Sequence, residues 1–166
     1  RTRQVPYFGI CLGMQCAVVE YARNVCGLKG ADSTEFDPAT PHRVIYKLRE
    51  LRGIDELGGT MRLGAWTARL KPGSFAHQAY GTLEISERHR HRYEVNPEYI
   101  EKMEKKGLVF SGISPDRRLM EIAELPKSEH PFYLGSQFHP ELQARPLSPH
   151  PLFTAFIEAA LNRSKK

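Results

Sequence analysis

The residues Gly9-Ile10-Cys11-Leu12-Gly13 set one cysteine midway between two glycines, with an apolar run before it and a helical pattern after it. On a sharp strand-to-helix turn a central cysteine is held up in the open, and glycines two positions before and after avoid clashes with the neighbouring chain. A helix starting at Leu12 would bring unpaired N–H groups and a positive dipole end to the sulfur, which favours thiolate, the nucleophilic form. The Leu12 N–H would then face the oxyanion of a tetrahedral intermediate. The plainer alternative is a structural cysteine on a tight turn.

A thiol nucleophile needs a base and a group to orient it, and Gln137-Phe138-His139-Pro140-Glu141 offers both. His139 ends a strand that Pro140 cuts off, and Glu141 can accept the Nδ1 proton and turn Nε2 toward the sulfur. Cys11 and His139 meet if their strands are near neighbours, because ligands gather at the carboxyl ends of strands in open α/β sheets. Cys16 and Cys26 lack such a setting, and three cysteines without metal-ligand spacing read as free thiols. His42, His77, His130 and His150 fall in loop-like or proline-flanked places and are expected in solvent. No H-x-x-x-H or C-x-x-C spacing points to a metal.

Arg88-His89-Arg90-His91-Arg92-Tyr93-Glu94 concentrates charge. In an extended strand its arginines share one face and its histidines the other. Such a face usually means solvated surface or nucleic acid, and like charges at this density make an anionic partner reasonable, whether carboxylate, phosphate or acidic residues elsewhere.

The elements that must position these residues follow from periodicity and breakers. Val5 to Ile10 reads as a buried strand, and the run from Leu12 to Val25 has helical spacing with Gly27 as its stop. Residues 28 to 41 are loop-like, and Arg43 to Leu48 reads as a strand. Glycines at 53, 58, 59 and 64 favour turns or a flap. Residues 65 to 70 and 81 to 96 read as strands, and Pro97 to Lys106 as a helix. Leu108 to Ser111 and Leu119 to Leu125 form a strand pair, Pro131 to Phe138 another strand, and 152 to 162 a final helix. Strand-helix units with extra strands argue an α/β fold.

At 166 residues the chain is of single-domain size, with 40% hydrophobic and 26% charged residues. Its net charge of +5 does not mark a nucleic-acid binder. Arg1, Arg3, Arg163, Lys165 and Lys166 account for all five charges, leaving residues 4 to 162 balanced. No segment approaches the length of a membrane helix and no signal peptide is visible, so a cytoplasmic chain is expected. Because Arg1 is not a start methionine and a strand follows almost at once, the chain is expected to begin in mid-domain.

PYFGICLGMQ with a later SQFHPE resembles class I glutamine amidotransferases, and ADSTEF, LGGTMRLG and ERHRHRYEVN resemble, more narrowly, the glutaminase domains of CTP synthases. The likeness runs from about Pro6 to the last helix. It implies a flavodoxin-like open sheet with flanking helices, incomplete at the N-terminus, and hydrolysis of L-glutamine to supply ammonia. A synthetase domain of the same polypeptide would use it to aminate ATP-activated UTP to CTP. Another class I amidotransferase, a γ-glutamyl hydrolase relative or an inactive interaction module are the rival readings.

Carried over residue by residue, the resemblance makes Cys11, His139 and Glu141 a catalytic triad. Leu12, Gly13, Met14 and Gln15 would line the glutamine site, Glu35 would take the substrate α-amino group, and Arg92 would contact the substrate. Arg90 resembles a position linked to the activator GTP, and Gly59, Thr60 and Arg62 fall in a flap-like stretch. The resemblance implies no cofactor or metal in this chain, but ATP, Mg²⁺ and GTP for a full-length homotetramer. The family's early strands and glycine-rich loop, which supply a second oxyanion donor, have no counterpart here. The isolated chain is therefore expected to be a weak or inactive glutaminase, since one such donor is worth about 3 kcal/mol.

Overall fold

The computed structural model describes residues 1–47 and 61–165. Strand β1 (Tyr7–Ile10) runs straight into helix α1 (Leu12–Asn24). Met14, Ala17, Val18, Tyr21 and Ala22 recur at helical spacing and are buried on one face of α1. Strands β2 (Asp32–Ser33) and β3 (Arg43–Lys47) follow. After the undescribed stretch, in which Leu48, Gly53, Gly58, Gly59 and Thr60 lie outside the described residues, comes β4 (Arg62–Leu70). Then come α2 (Phe75–Tyr80), β5 (Glu84–His91), β6 (Tyr93–Val95) and α3 (Ile100–Glu104). The chain closes with β7 (Val109–Ile113), β8 (Met120–Glu124), β9 (Tyr133–Ser136) and α4 (Pro151–Ser164).

The main sheet has the order β1-β9-β8-β7-β4-β5, and β2-β3-β6 form a smaller one. Among the described strands of the main sheet only β1 and β9 are parallel, pairing Tyr7 with Tyr133 through Ile10 with Ser136. The other pairings are antiparallel. One core joins α1 to β3, Phe110 and Tyr133. A second, around Ile85, Phe132, Leu134, Phe138 and Leu152, packs beneath residues of α2 and α4. Strand β9 presses close to α1: a Cβ on Gly135 would stand 2.9 Å from Met14 Cα.

Several expectations change. The strand expected over 81 to 96 divides at Arg92, because β5 belongs to the main sheet and β6 to the small one. The helix expected from Pro97 begins as a 3₁₀ turn over Pro97–Tyr99, with the Asn96 side chain accepting from the Glu98 N–H. Helix α2 is an addition to the elements expected from periodicity. Its signals are a Ser74 N-cap, whose Oγ accepts from the His77 N–H at 3.1 Å, and Gly81 at φ 70° as its stop.

His130 and His150 are buried, not solvated. In both, Nδ1 accepts a main-chain N–H two residues on, from Phe132 and Leu152, so each ring fastens a turn.

Candidate functional site

Cys11 sits at φ 51°, ψ −102°, a left-handed conformation rare for a residue with a side chain. It joins the last residue of β1 to the first of α1. Its N–H donates to the Ser136 carbonyl at 2.7 Å, and its carbonyl accepts from the Gln15 N–H. The tight turn demands glycine at 9: a Cβ there would lie 2.6 Å from Gly13 C and 2.7 Å from the Tyr7 hydroxyl. Gly13 is different, since its nearest neighbour would be the Tyr7 hydroxyl at an ordinary 3.6 Å. The main chain of Gly13 is what the turn uses, its carbonyl accepting from Tyr7 Oη at 2.7 Å.

The expected bias toward thiolate is not met. Burial pushes the Cys11 thiol up, with the Leu12 N–H hydrogen bond opposing it and the Glu94, Glu141 and Glu35 carboxylates adding to the rise. The helix terminus does contribute a donor, but desolvation outweighs it. A thiol in this setting would need a base to take its proton before it could act as a nucleophile.

His139 follows β9 by three residues. Its N–H donates to the Arg88 carbonyl at 2.8 Å, which ties it to β5. Pro140 opens a 3₁₀ turn over Pro140–Leu142, and that turn swings Glu141 back so that Oε1 lies 2.6 Å from His139 Nδ1. Among the described residues His139 Nε2 has no hydrogen-bond partner. Cys11 and His139 thus stand beyond the carboxyl ends of adjacent parallel strands, with no hydrogen bond between their side chains.

Gln137 joins the site beyond what sequence reasoning assigned: its Nε2 lies 3.8 Å from Cys11 Sγ, and its Oε1 accepts from Gln15 Nε2 at 3.3 Å. The available signal is a lone amide in the apolar run PFYLGSQF, since a buried polar group needs a partner.

Of the residues expected near glutamine, Leu12 is 46% exposed and Gln15 is buried, donating to the Tyr93 carbonyl at 3.1 Å. Met14 is wholly buried in the core, so only its main chain can face a ligand. Glu35 is exposed, and its charge reaches Cys11. Arg88, Arg90 and Arg92 are exposed while His89 and His91 are buried, the division the alternation implied.

Arg62 needs correcting. Expected in a flap, it is the first residue of β4 and is 1% exposed, held by Glu121 at 2.6 Å and Glu94 at 3.4 Å. Two buried carboxylates draw it inward, so it is not available to a nucleotide. Gly59 and Thr60 lie outside the described residues.

Among the described residues no group of three or more His, Cys, Asp or Glu is placed to hold a metal ion. No helix there is long and apolar enough to cross a membrane. A groove of about 870 Å³ lies between α2 and α4, lined by Phe75, Phe132, Lys127 and Arg163 among others. None of the expected site residues lines it.

Residues 1–159 match the family described as glutamine amidotransferase class-I. The whole chain is 66% identical to a CTP synthase of Koribacter versatilis, and 165 of its residues are 62% identical to one of Acidobacterium capsulatum. In both cases the chain spans 30% of the relative's length. The glutaminase domain of Trypanosoma brucei CTPS, solved with bound acivicin, superposes with a TM-score of 0.88 at 37% identity. That match covers 98% of this chain and 62% of the solved one. A Thermoplasma acidophilum protein described as part of a GMP synthase shares the fold, with a TM-score of 0.57 at 15% identity over 96% of this chain and 59% of its own.

Proposed function

The chain belongs to the class I glutamine amidotransferase family, and we propose that it is the glutamine-hydrolysing part of a CTP synthase, acting through Cys11, His139 and Glu141. The observation that carries this reading is the left-handed Cys11 on the β1–α1 turn, with His139 beyond the end of the parallel neighbour β9. Identities of 62–66% to CTP synthases favour that setting over other amidotransferases.

In the reaction, His139 Nε2 takes the Cys11 proton as the sulfur attacks the side-chain amide carbon of glutamine. Glu141, bonded to Nδ1, keeps Nε2 as the proton acceptor and stabilises the imidazolium that forms. The oxyanion accepts from the Leu12 N–H. His139 returns the proton to the leaving nitrogen, so ammonia departs and a γ-glutamyl thioester remains. Water, deprotonated by His139, attacks the thioester carbon, and the thiol leaves with that proton as glutamate is released.

Glu35 receives the α-ammonium of glutamine and Arg92 its carboxylate, which suits a zwitterion. Arg90, exposed on β5, remains the residue suited to the GTP activator. The ammonia serves ATP- and Mg²⁺-dependent amination of UTP in a synthetase domain, as the CTP synthase relatives imply.

Amination of UTP by the complete polypeptide tests this. Cys11→Ala should abolish CTP formation from glutamine and leave formation from free ammonia. Equal loss of both, or loss of neither, would contradict the reading.

A further inference from the structure

Behind Cys11 and His139, five buried side chains from four strands close into a ring: Arg62 of β4, His89 and His91 of β5, Glu94 of β6 and Glu121 of β8. Each is at most 5% exposed. Arg62 Nη2 donates to Glu121 Oε1 at 2.6 Å and Nη1 to Glu94 Oε1 at 3.4 Å.

Their hydrogen atoms can be placed by elimination. His91 Nδ1 lies 3.2 Å from the Tyr93 carbonyl and 3.5 Å from Glu94 Oε1. Both are acceptors, so this nitrogen carries the hydrogen and His91 Nε2 accepts. His89 Nδ1, 2.8 Å from that Nε2, is therefore its donor, which leaves His89 Nε2 as a bare lone pair. That lone pair faces Glu121 Oε2 at 3.6 Å, and among the described residues neither atom has a hydrogen-bond partner. Two acceptors facing each other in a dry interior are unfavourable unless a proton lies between them.

We infer that Glu121 is a neutral carboxylic acid with its proton on Oε2, directed toward the His89 Nε2 lone pair at 3.6 Å, and that the ring it completes positions the Cys11–His139 site from behind. The ring then holds one positive charge, on Arg62, and one negative, on Glu94. Burial and the Glu121 charge push Glu94 well above the ordinary carboxylate range, but a neutral Glu121 removes the second of those causes. Among the described residues Glu94 Oε2 has no hydrogen-bond partner, whereas Glu121 Oε2 faces the His89 lone pair. An imidazolium at His89 is opposed by burial and by Arg62, His91 and His139. Burial raises both carboxyls. Arg62 lowers them, while Asp116 adds to the rise at Glu121 and Glu121 to that at Glu94.

What the ring positions is visible in the main chain. The Glu121 carbonyl accepts from the Gln137 N–H at 2.8 Å, and the Arg88 carbonyl from the His139 N–H at 2.8 Å. Between them, Phe138 packs edge-on against the His89 ring at 5.9 Å. The Tyr93 carbonyl that His91 approaches also holds Gln15. Residues 137 to 139 thus hang in succession from ring members or their neighbours. The positioning role rests on the glutaminase reading above; the proton does not.

A glutamine reproduces the neutral acid, accepting from Arg62 and donating to His89, so the two carboxylates should respond differently to the same change. In the complete polypeptide at pH 8, infrared spectra should show a carboxylic-acid carbonyl band that disappears in Glu121→Gln and persists in Glu94→Gln. Thermal unfolding should shift little in Glu121→Gln and fall well below the parent in Glu94→Gln, which strips Arg62 of its counter-charge. Amide exchange at Gln137 and His139 should accelerate in Glu121→Ala and keep the parent's protection in Glu121→Gln. A band that survives in Glu121→Gln, or a Glu121→Gln variant that loses protection like Glu121→Ala, would overturn the inference. If Glu94→Gln does not fold, the parent and the two Glu121 variants decide alone. A polypeptide that shows the band but hydrolyses no glutamine would refute the site's reading and leave the proton in place.

Discussion

The Cys11 N–H donates to the Ser136 carbonyl at 2.7 Å, extending the parallel β1–β9 ladder by one bond past Ile10. That bond fixes where the main chain leaves the sheet. Cys11 must turn at once into α1, which it does at φ 51°, and three residues beyond Ser136 the other chain segment delivers His139. Cys11 and His139, the proposed nucleophile and base, are therefore placed by one strand pair.

The two glycines that flank Cys11 should behave unequally. Gly9→Ala drives a Cβ into the Gly13 main chain at 2.6 Å, where no flexible side chain can yield. Overpacking of this kind costs about 1–3 kcal/mol. Gly13→Ala meets only an ordinary contact, and within α1 alanine gains about 1 kcal/mol over glycine. Chemical denaturation of both variants checks this; equal destabilisation would contradict the turn's geometry.

The buried histidines make a signed prediction about acid. Burial and Arg62 push His91 down to about 3, against an ordinary value of about 6.5. A depressed value means the folded state resists protonation, so the stability His91 contributes is complete above about 6.5 and is lost as pH falls toward about 3. The stability difference between the parent and His91→Gln should accordingly narrow on acidification, by up to about 1.4 kcal/mol per pH unit. A difference constant between pH 7 and pH 4 would contradict the buried neutral ring.

A second buried network anchors the turn that carries Glu141. Glu87 accepts from Tyr80 Oη at 2.7 Å, from His150 Nε2 at 2.8 Å and from Gln143 Nε2 at 2.5 Å, and Gln143 also donates to the Ser86 carbonyl. Glu87→Ala removes the acceptor that Tyr80 Oη and His150 Nε2 share and leaves them only each other at 3.3 Å, so one donor goes unsatisfied at about 1–3 kcal/mol. Gln143→Ala removes only the link to the 3₁₀ turn, so it should lower glutamine turnover more than stability. Loss of stability in Gln143→Ala as large as in Glu87→Ala would refute that division of labour.

Because burial outweighs the Leu12 N–H at the sulfur, alkylation of Cys11 by a simple uncharged reagent should keep rising with pH beyond the ordinary thiol value of about 8.5. A rate that reaches its plateau near neutrality would show a stabilised thiolate.

Local rules made part of this site legible in the sequence, and long-range packing hid the rest. The elbow can be read because Gly9, Cys11 and the start of α1 are neighbours in the chain, and the Arg/His alternation of β5 because strand periodicity is strict. Gly13 departs from the expected role, since the clash belongs to Gly9 alone. Arg62, His130 and His150 look like surface residues in the sequence because what surrounds them is set by tertiary packing. Arg62 meets Glu94 and Glu121, and His150 meets Glu87, all far away along the chain, while His130 is enclosed with the Phe132 turn it fastens. The thiolate expectation failed for a related reason: desolvation depends on the whole fold, whereas a helix terminus can be read from a few residues.

The most direct test of the central claim is to treat the complete polypeptide with an electrophilic glutamine mimic and locate the adduct by mass spectrometry. The account predicts one adduct, on Cys11, suppressed by L-glutamine and slowed in His139→Ala, with exposed Cys16 and buried Cys26 unlabelled. Modification of Cys16 or Cys26 in place of Cys11, or labelling of Cys11 indifferent to glutamine, would contradict it.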